Sequence, residues 1–151
     1  MLTVALRPRL RVIGCPKDIE KLLVVPLSAA GMLVQTEAKV WLSVPGGDAS
    51  PGEGWPTYFN KDLKKWVEAS IPTDPPHRQT GNLQNSVKRV KLSKDEVAVV
   101  ADAKNTRTGF NYASILEYGG GKMKGPRPFM RPALLSSVQH IARTFYKFLG
   151  V

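Results

Sequence analysis

Two long stretches of helical periodicity, one near each end of the chain, frame everything that lies between them. From about 17 to 43, Ile19, Leu22, Leu23, Leu27, Ala30, Leu33, Val34, Ala38, Trp41 and Leu42 recur at intervals of three and four, the spacing that gathers apolar side chains on one face of a helix. From about Pro128 to Leu149, Phe129, Ala133, Leu134, Val138, Ile141, Phe145, Phe148 and Leu149 do the same. Pro26 should kink or split the first helix near Val25, because it lacks an N–H and its ring crowds the preceding turn. Pro128 and Pro132 fit only at or near the opening turn of the second.

The chain between these helices is broken by proline and glycine. The stretch PGGDASPGEGWP from Pro45 to Pro56 stops the first helix and reads as a mobile surface loop. A short helix over DLKKWVEAS is expected next, capped by Asn60 and burying Leu63 and Trp66. IPTDPPHRQ is an extended linker, and TGNLQNSV begins with Thr80 as a plausible cap. Val87 to Leu92 and Val97 to Ala101 are strand-like and are joined by the turn-forming Ser93-Lys94-Asp95-Glu96, which makes a hairpin. KNTRTGFN reads as a loop, and YASILEYG as a short helix closed by Gly119. At the start, Val4, Leu6, Leu10 and Val12 alternate with Ala5, Arg7, Arg9 and Arg11, a period of two that suits a half-buried strand. Pro8 confines that strand to a sheet edge or an extended arm. The expected fold is α+β: a small antiparallel sheet including the hairpin at about 87–101, packed by a long N-terminal helix and an amphipathic C-terminal one. Residues 1–15 are the basic arm or edge strand, and 16–151 form one domain with a Gly/Pro-rich insert at 45–76.

A length of 151 residues suits one core. The net charge is +10, and residues 100–151 alone carry +6, so a polyanion or an acidic protein is the natural neighbour of that pole. Cys15 is the single cysteine and cannot form an internal disulfide, so a reducing cytoplasm is the expected place of synthesis. No run approaches the roughly 18 apolar residues that span a bilayer, and the arginines of MLTVALRPRLRV do not suit a signal peptide.

Catalytic chemistry has few candidates. His77 and His140 have no Cys, His or Asp at ligand spacing, so no metal site is expected. Glu117 stands alone among basic residues and could act as a general base, but a carboxylate at the end of a short helix more readily pairs with a nearby Arg or Lys. Gly119-Gly120-Gly121-Lys122 lacks the phosphate-loop spacing. No catalytic residue and no cofactor is expected. Most aromatics fall on helical apolar faces and read as core, whereas Trp55 and Phe110, in loops, read as subunit contacts.

Two segments acquire meaning together: RQTGNLQNSV, from Arg78 to Val87, and YASILEYGGGKMKGPRPFMRPAL, from Tyr112 to Leu134. Thr80, Gly81, Leu83 and Ser86 match a T-G-x-L-x-x-S motif. Tyr112, Ala113, Glu117, Tyr118 and Gly119 match Y-A-x-x-x-E-Y/F-G, and Pro128, Phe129, Pro132 and Ala133 match P-F-x-x-P-A. In this order and spacing the chain resembles the phage tail-component family of gene-product-ten-like neck and tail-completion proteins of lambda-like siphophages. The likeness covers roughly Arg78 to Leu149. The chain departs from the pattern in its 45–76 insert and its basic N-terminal arm.

That resemblance implies a structural virion protein of a tailed bacteriophage, made in the host cytoplasm. It would form a ring at the head-tail junction, as a neck, tail-completion or tail-terminator protein, with double-stranded DNA passing through. The resemblance further suggests a closed ring, since repeated heterologous contacts either close or grow into a filament, with a hexamer favoured over a dodecamer and with neck, tail-tube or connector proteins as neighbours. On this reading Arg7, Arg9, Arg11, Glu117, Lys122, Lys124, Arg127 and Arg131 are interface or lumen residues. A lumen that gripped DNA would impede ejection, so the basic excess is expected mostly to meet acidic neighbours, with only transient contact to DNA. Gly81 would permit close backbone approach, Tyr112 and Phe129 would anchor loops in the core, and Pro128 and Pro132 would start the last helix stiffly. The alternatives are a basic nucleic-acid-binding module and, more remotely, a small enzyme using Glu117.

Overall fold

The computed structural model describes residues 2–6, 19–44, 57–61, 63–105, 108–120 and 125–150. In chain order the elements are β1 (Leu2–Leu6), α1 (Ile19–Trp41), β2 (Thr57–Asn60), β3 (Lys65–Glu68), α2 (Asn82–Ser86), β4 (Val87–Lys91), β5 (Val97–Ala101), α3 (Ala113–Tyr118) and α4 (Met130–Leu149). The fold is α+β, with a three-stranded antiparallel sheet in the order β1-β5-β4 and a separate antiparallel hairpin, β2-β3. Residues 7–18, with the rest of the expected arm, and the Gly/Pro-rich stretch 45–56, with Trp55, lie outside the described residues.

The expected hairpin forms β4 and β5, with Val87 opposite Ala101 and Lys91 opposite Val97. Its turn is closed by the amides of Leu92 and Ser93, both donating to the Glu96 carbonyl, and by Ser93 Oγ donating to Asp95 at 2.6 Å. β5 is central and is buried along its whole length, which suits its unbroken VAVVA sequence. β1 takes the edge, Leu2 to Leu6 pairing with Ala101 to Val97, so the alternating N-terminal residues do make an edge strand.

α1 lies across the sheet and beside α4. Leu23, Leu27, Ala30, Val34 and Ala38 are buried along its inner face; Val34 and Ala38 join Val87, Val99, Ala101, Phe129, Met130 and Ala133 in the main core, while Leu23 and Leu27 form a smaller cluster with Val97. Of the two outcomes expected at Pro26, a kink or a split, the split does not occur; α1 runs unbroken for 23 residues around it. Pro26 is itself fully buried, and the apolar burial along this face outweighs a mid-helix proline penalty of about 3 kcal/mol. Gly31 allows the close approach of helix to sheet, since a Cβ there would sit 2.6 Å from Val97 Cγ1 and 2.9 Å from Arg89 Cδ. Two polar ties fix the same contact: Gln35 Nε2 donates to the Val87 carbonyl and Arg89 donates to the Ser28 carbonyl.

Two further expectations are corrected. The helix proposed over DLKKWVEAS is instead β3 and the turn before it. Asn60 uses its side-chain oxygen to accept the Leu63 amide at 3.1 Å, and Lys64 adopts φ 52°, which turns the chain back rather than opening a helix. Trp66 then faces Phe59 across the strands, edge to face, with ring centroids 5.9 Å apart, and neither Trp66 nor Leu63 is buried. On α4 the buried residues are Met130, Ala133 and Ser137. Val138 and Phe148, assigned to the core face from periodicity, are about half exposed, because α4 packs chiefly on α1 alone.

Replacing Gly31 with valine should force Val97 and Arg89 aside and destabilise the fold by about 1–3 kcal/mol. Urea denaturation of the two proteins checks this, and equal midpoints would refute the close-approach role.

Candidate functional site

The three sequence motifs converge on one region, and Glu117 links two of them. Glu117 is buried, with 5% of the residue exposed. One oxygen accepts the amides of Phe129 at 2.8 Å and Met130 at 2.9 Å, and the other accepts the Arg131 amide at 2.8 Å. These are the opening amides of α4, which have no partner within their own helix. Pro132 follows and has no N–H to satisfy; the Ala133 amide then bonds back to the Phe129 carbonyl as the first regular turn. Every main-chain donor from Phe129 to Ala133 is therefore accounted for. The negative charge also sits where the aligned peptide dipoles of α4 favour it.

Glu117 is therefore turned into the molecule. The expected pairing with an Arg or Lys side chain is replaced by three main-chain amides, and the expected subunit contact by a helix cap that joins α3 to α4. A buried carboxylate with both oxygens engaged has no free edge with which to meet a neighbour.

The segment leading into this cap is laced to two other parts of the chain. The Arg127 amide donates to the Leu116 carbonyl, and Arg127 Nε donates to the Ser70 carbonyl at 2.7 Å. The Thr73 amide donates to the Pro126 carbonyl. Arg127, expected at an interface or lumen, is thus partly buried and tied within the chain. Arg131 is exposed on the first turn of α4. Arg7, Arg9, Arg11, Lys122 and Lys124 lie outside the described residues.

The first motif joins the second through Asn82, whose side-chain amide donates to the Lys104 carbonyl at 2.9 Å and to the Tyr112 hydroxyl at 3.3 Å. Tyr112 packs against the main core and its amide bonds to the Ala103 carbonyl; Phe129 is completely buried. Both aromatics hold their loops in the core, as expected. Gly81 acts differently from expectation. It precedes α2 at φ 79°, and a Cβ there would meet only Asn85 Nδ2 at 3.7 Å, so its left-handed backbone is what demands glycine. Thr80 Oγ1 accepts the Asn82 amide at 3.3 Å from one residue before the cap position. Leu83 packs on the core, and Ser86 Oγ bonds back to the Leu83 carbonyl. Gly119, again at φ 79°, closes α3 with its amide on the Ile115 carbonyl.

A groove between β2 and α2 is lined by Tyr58, Asn60, Gln79, Asn82, Lys104 and Tyr112 among others. Its amide side chains are largely taken up by the fold itself, Gln79 donating to the Glu68 carbonyl and Gln84 to that of Lys39. Burial raises the Tyr58 phenol above the ordinary tyrosine range, against a smaller opposing effect of its hydrogen bond with Asn60 and of the Arg127 charge. Among the described residues no group of three or more His, Cys, Asp or Glu side chains is placed to hold a metal ion, and no helix is long and apolar enough to cross a membrane. The arrangement is one of mutual support: caps, ties and anchors, with polar groups directed at the main chain. No protein-family model, curated protein or solved structure matches the chain.

The basic run after Ser86 becomes the outer edge strand β4, with Lys88 and Lys91 in solvent. The Phe59–Trp66 pair was missed in the sequence; its signal was the pairing of TYFN with KWVE across a turn.

Glu117→Ala should leave three amides at the start of α4 without their acceptor and cost about 2–4 kcal/mol, whereas Glu117→Gln, which retains one oxygen, should lose less. Chemical denaturation gives the order, and a Gln variant as unstable as the Ala variant would contradict the cap. For Tyr58, folding favours the neutral phenol. Its contribution to stability is therefore complete below about pH 10, the unfolded value, and is lost as pH rises through the higher folded value. The difference in phenolate absorbance between the native protein and Tyr58→Phe should titrate above the midpoint of the denatured chain.

Proposed function

We propose that this chain is a non-enzymatic structural protein of a tailed bacteriophage virion. It forms a ring at the head-tail junction, as a neck, tail-completion or tail-terminator subunit, through which double-stranded DNA passes. A hexamer is the first choice of ring and a dodecamer the second, with neck, tail-tube or connector proteins on either side and no cofactor.

The observation that carries this reading is the coupling of the three family-like motifs. The acid of Y-A-x-x-x-E-Y-G caps the helix that P-F-x-x-P-A begins, and the tyrosine of the former receives Asn82 from within T-G-x-L-x-x-S. Residues that resemble a family motif by motif thus have a common physical reason to occur together, and that reason is architectural. The net charge of +10 suits acidic neighbours around a DNA passage. The exposed cations of β4 favour a second reading, a basic nucleic-acid-binding module.

Sedimentation and electron microscopy of the full chain, alone and with phage heads or tails, test the proposal. Closed rings are the expected result; a chain that is monomeric in every one of these conditions overturns it. The nucleic-acid reading predicts tight duplex binding that falls steeply with salt, and the ring reading predicts weak, nonspecific binding.

A further inference from the structure

β4 is the outer edge of the three-stranded sheet, and its register fixes which main-chain groups are spare. In an antiparallel pair, alternate residues direct both N–H and C=O at the neighbouring strand, and the residues between them direct both away. The Leu92 amide donates to the Glu96 carbonyl, so Lys88 and Val90 bond to Val100 and Ala98, while Val87, Arg89 and Lys91 face outward. Val87 has the same phase, because its amide donates to the Gln84 carbonyl and its carbonyl accepts Gln35 Nε2. The fold thus closes the edge at Val87. At Arg89 and Lys91 it leaves the main-chain N–H and C=O without a partner among the described residues, on a strand exposed from Lys88 to Lys91.

The side chains of this edge are cationic on both faces. Lys88 shares one face with Val90, and Arg89 and Lys91 share the other, the face on α1, where Arg89 passes Gly31 and donates to the Ser28 carbonyl. None of these three cations has an ion-pair partner among the described residues. The carboxylates of the adjoining turn and helix are engaged elsewhere. Asp95 accepts Ser93 Oγ, Glu96 has its own partner, and Glu37 of α1 accepts Ser136 from α4.

An open edge that alternates donors and acceptors takes an extended polypeptide, which offers both in the same alternation. A nucleic-acid backbone accepts N–H groups but has no donors for the carbonyls of Arg89 and Lys91. Charge then selects among polypeptides, since opposite charges facing each other on paired strands are favourable and like charges are not. A second β4 would set Lys88, Arg89 and Lys91 against their own kind, and β1 of another copy leads directly into Arg7, Arg9 and Arg11. We infer that the outer edge of β4 binds an extended acidic segment of another protein by strand addition. Carboxylates on one face of the added strand meet Lys88, and those on the other meet Arg89 and Lys91. The inference goes beyond the ring reading and does not depend on it, because the edge is complete within one copy.

The test titrates the full chain with a short peptide of repeating Glu-Asp-Val-Thr, which carries acids on both faces of a strand, and follows amide hydrogen exchange by nuclear magnetic resonance. Strand addition should slow exchange at Arg89 and Lys91 by more than about tenfold. Methylating the main-chain amides of the peptide should weaken binding by more than about tenfold, because the affinity rests on main-chain hydrogen bonds. Lys88→Glu with Lys91→Glu, both at exposed positions, should reverse the preference toward a Lys-Arg-Val-Thr repeat, with the far-ultraviolet circular dichroism unchanged. The inference is overturned by an absence of binding at millimolar peptide, or by binding that leaves the two amides unprotected or is indifferent to methylation. Protection that grows with the concentration of the chain alone assigns the edge to a second copy and overturns it too, as does duplex DNA that binds more tightly than the peptide and protects the same amides. Ring formation is read separately by sedimentation, so failure of this binding leaves the ring reading standing.

Discussion

The carboxylate of Glu117 is the interaction on which the C-terminal half depends. α4 starts abruptly after Pro128, with none of the Ser, Thr, Asp or Asn residues that usually cap a helix at its own N-terminus. Its first two opening amides, those of Phe129 and Met130, are buried where water cannot satisfy them, and the third, of Arg131, is partly buried. An acid carried on α3, 12 to 14 residues earlier in the chain, accepts all three. The cap therefore sets the position of α4 relative to α3 as well as satisfying its ends. α4 in turn supplies the largest helix contact of the fold, its packing on α1.

From that point order propagates in two directions. Through Arg127 and Pro126 the segment before α4 is stitched to the Ser70–Thr73 turn, which follows directly from the β2-β3 hairpin. Through Tyr112 and Asn82, α3 is joined to α2 and hence to the edge of the sheet. The basic residues around the cap thus have unequal roles. Arg127 is partly occupied by the fold, whereas Arg131 points its side chain to solvent from the first turn of α4.

Much of the architecture was legible in the order of residues. The two long helices, the β4-β5 hairpin, the edge placement of β1 and the short helix ending at Gly119 follow from periodicity, turn chemistry and the constraints of proline and glycine. The errors have physical causes. Asn60 signals both a helix cap and a tight turn, and only the pairing of TYFN with KWVE decides between them. Pro26 signals a kink or a split, and burial along α1 is sufficient to carry the helix through it without a split. Val138 and Phe148 share the period of the α4 core residues, but the period cannot tell how wide a face the neighbouring helix will cover.

The sequence by itself determined the class of the fold, the two long helices, and the hairpin between them, because each of these rests on local backbone preference and side-chain period. Only the tertiary structure decided what Glu117 does. A lone acid among cations reads as a partner for lysine or arginine, and nothing within a few residues of it reveals three amides more than ten residues away. The same holds for the Phe59–Trp66 pair: the sequence states that these residues are apolar, and only packing decides which apolar residues remain outside.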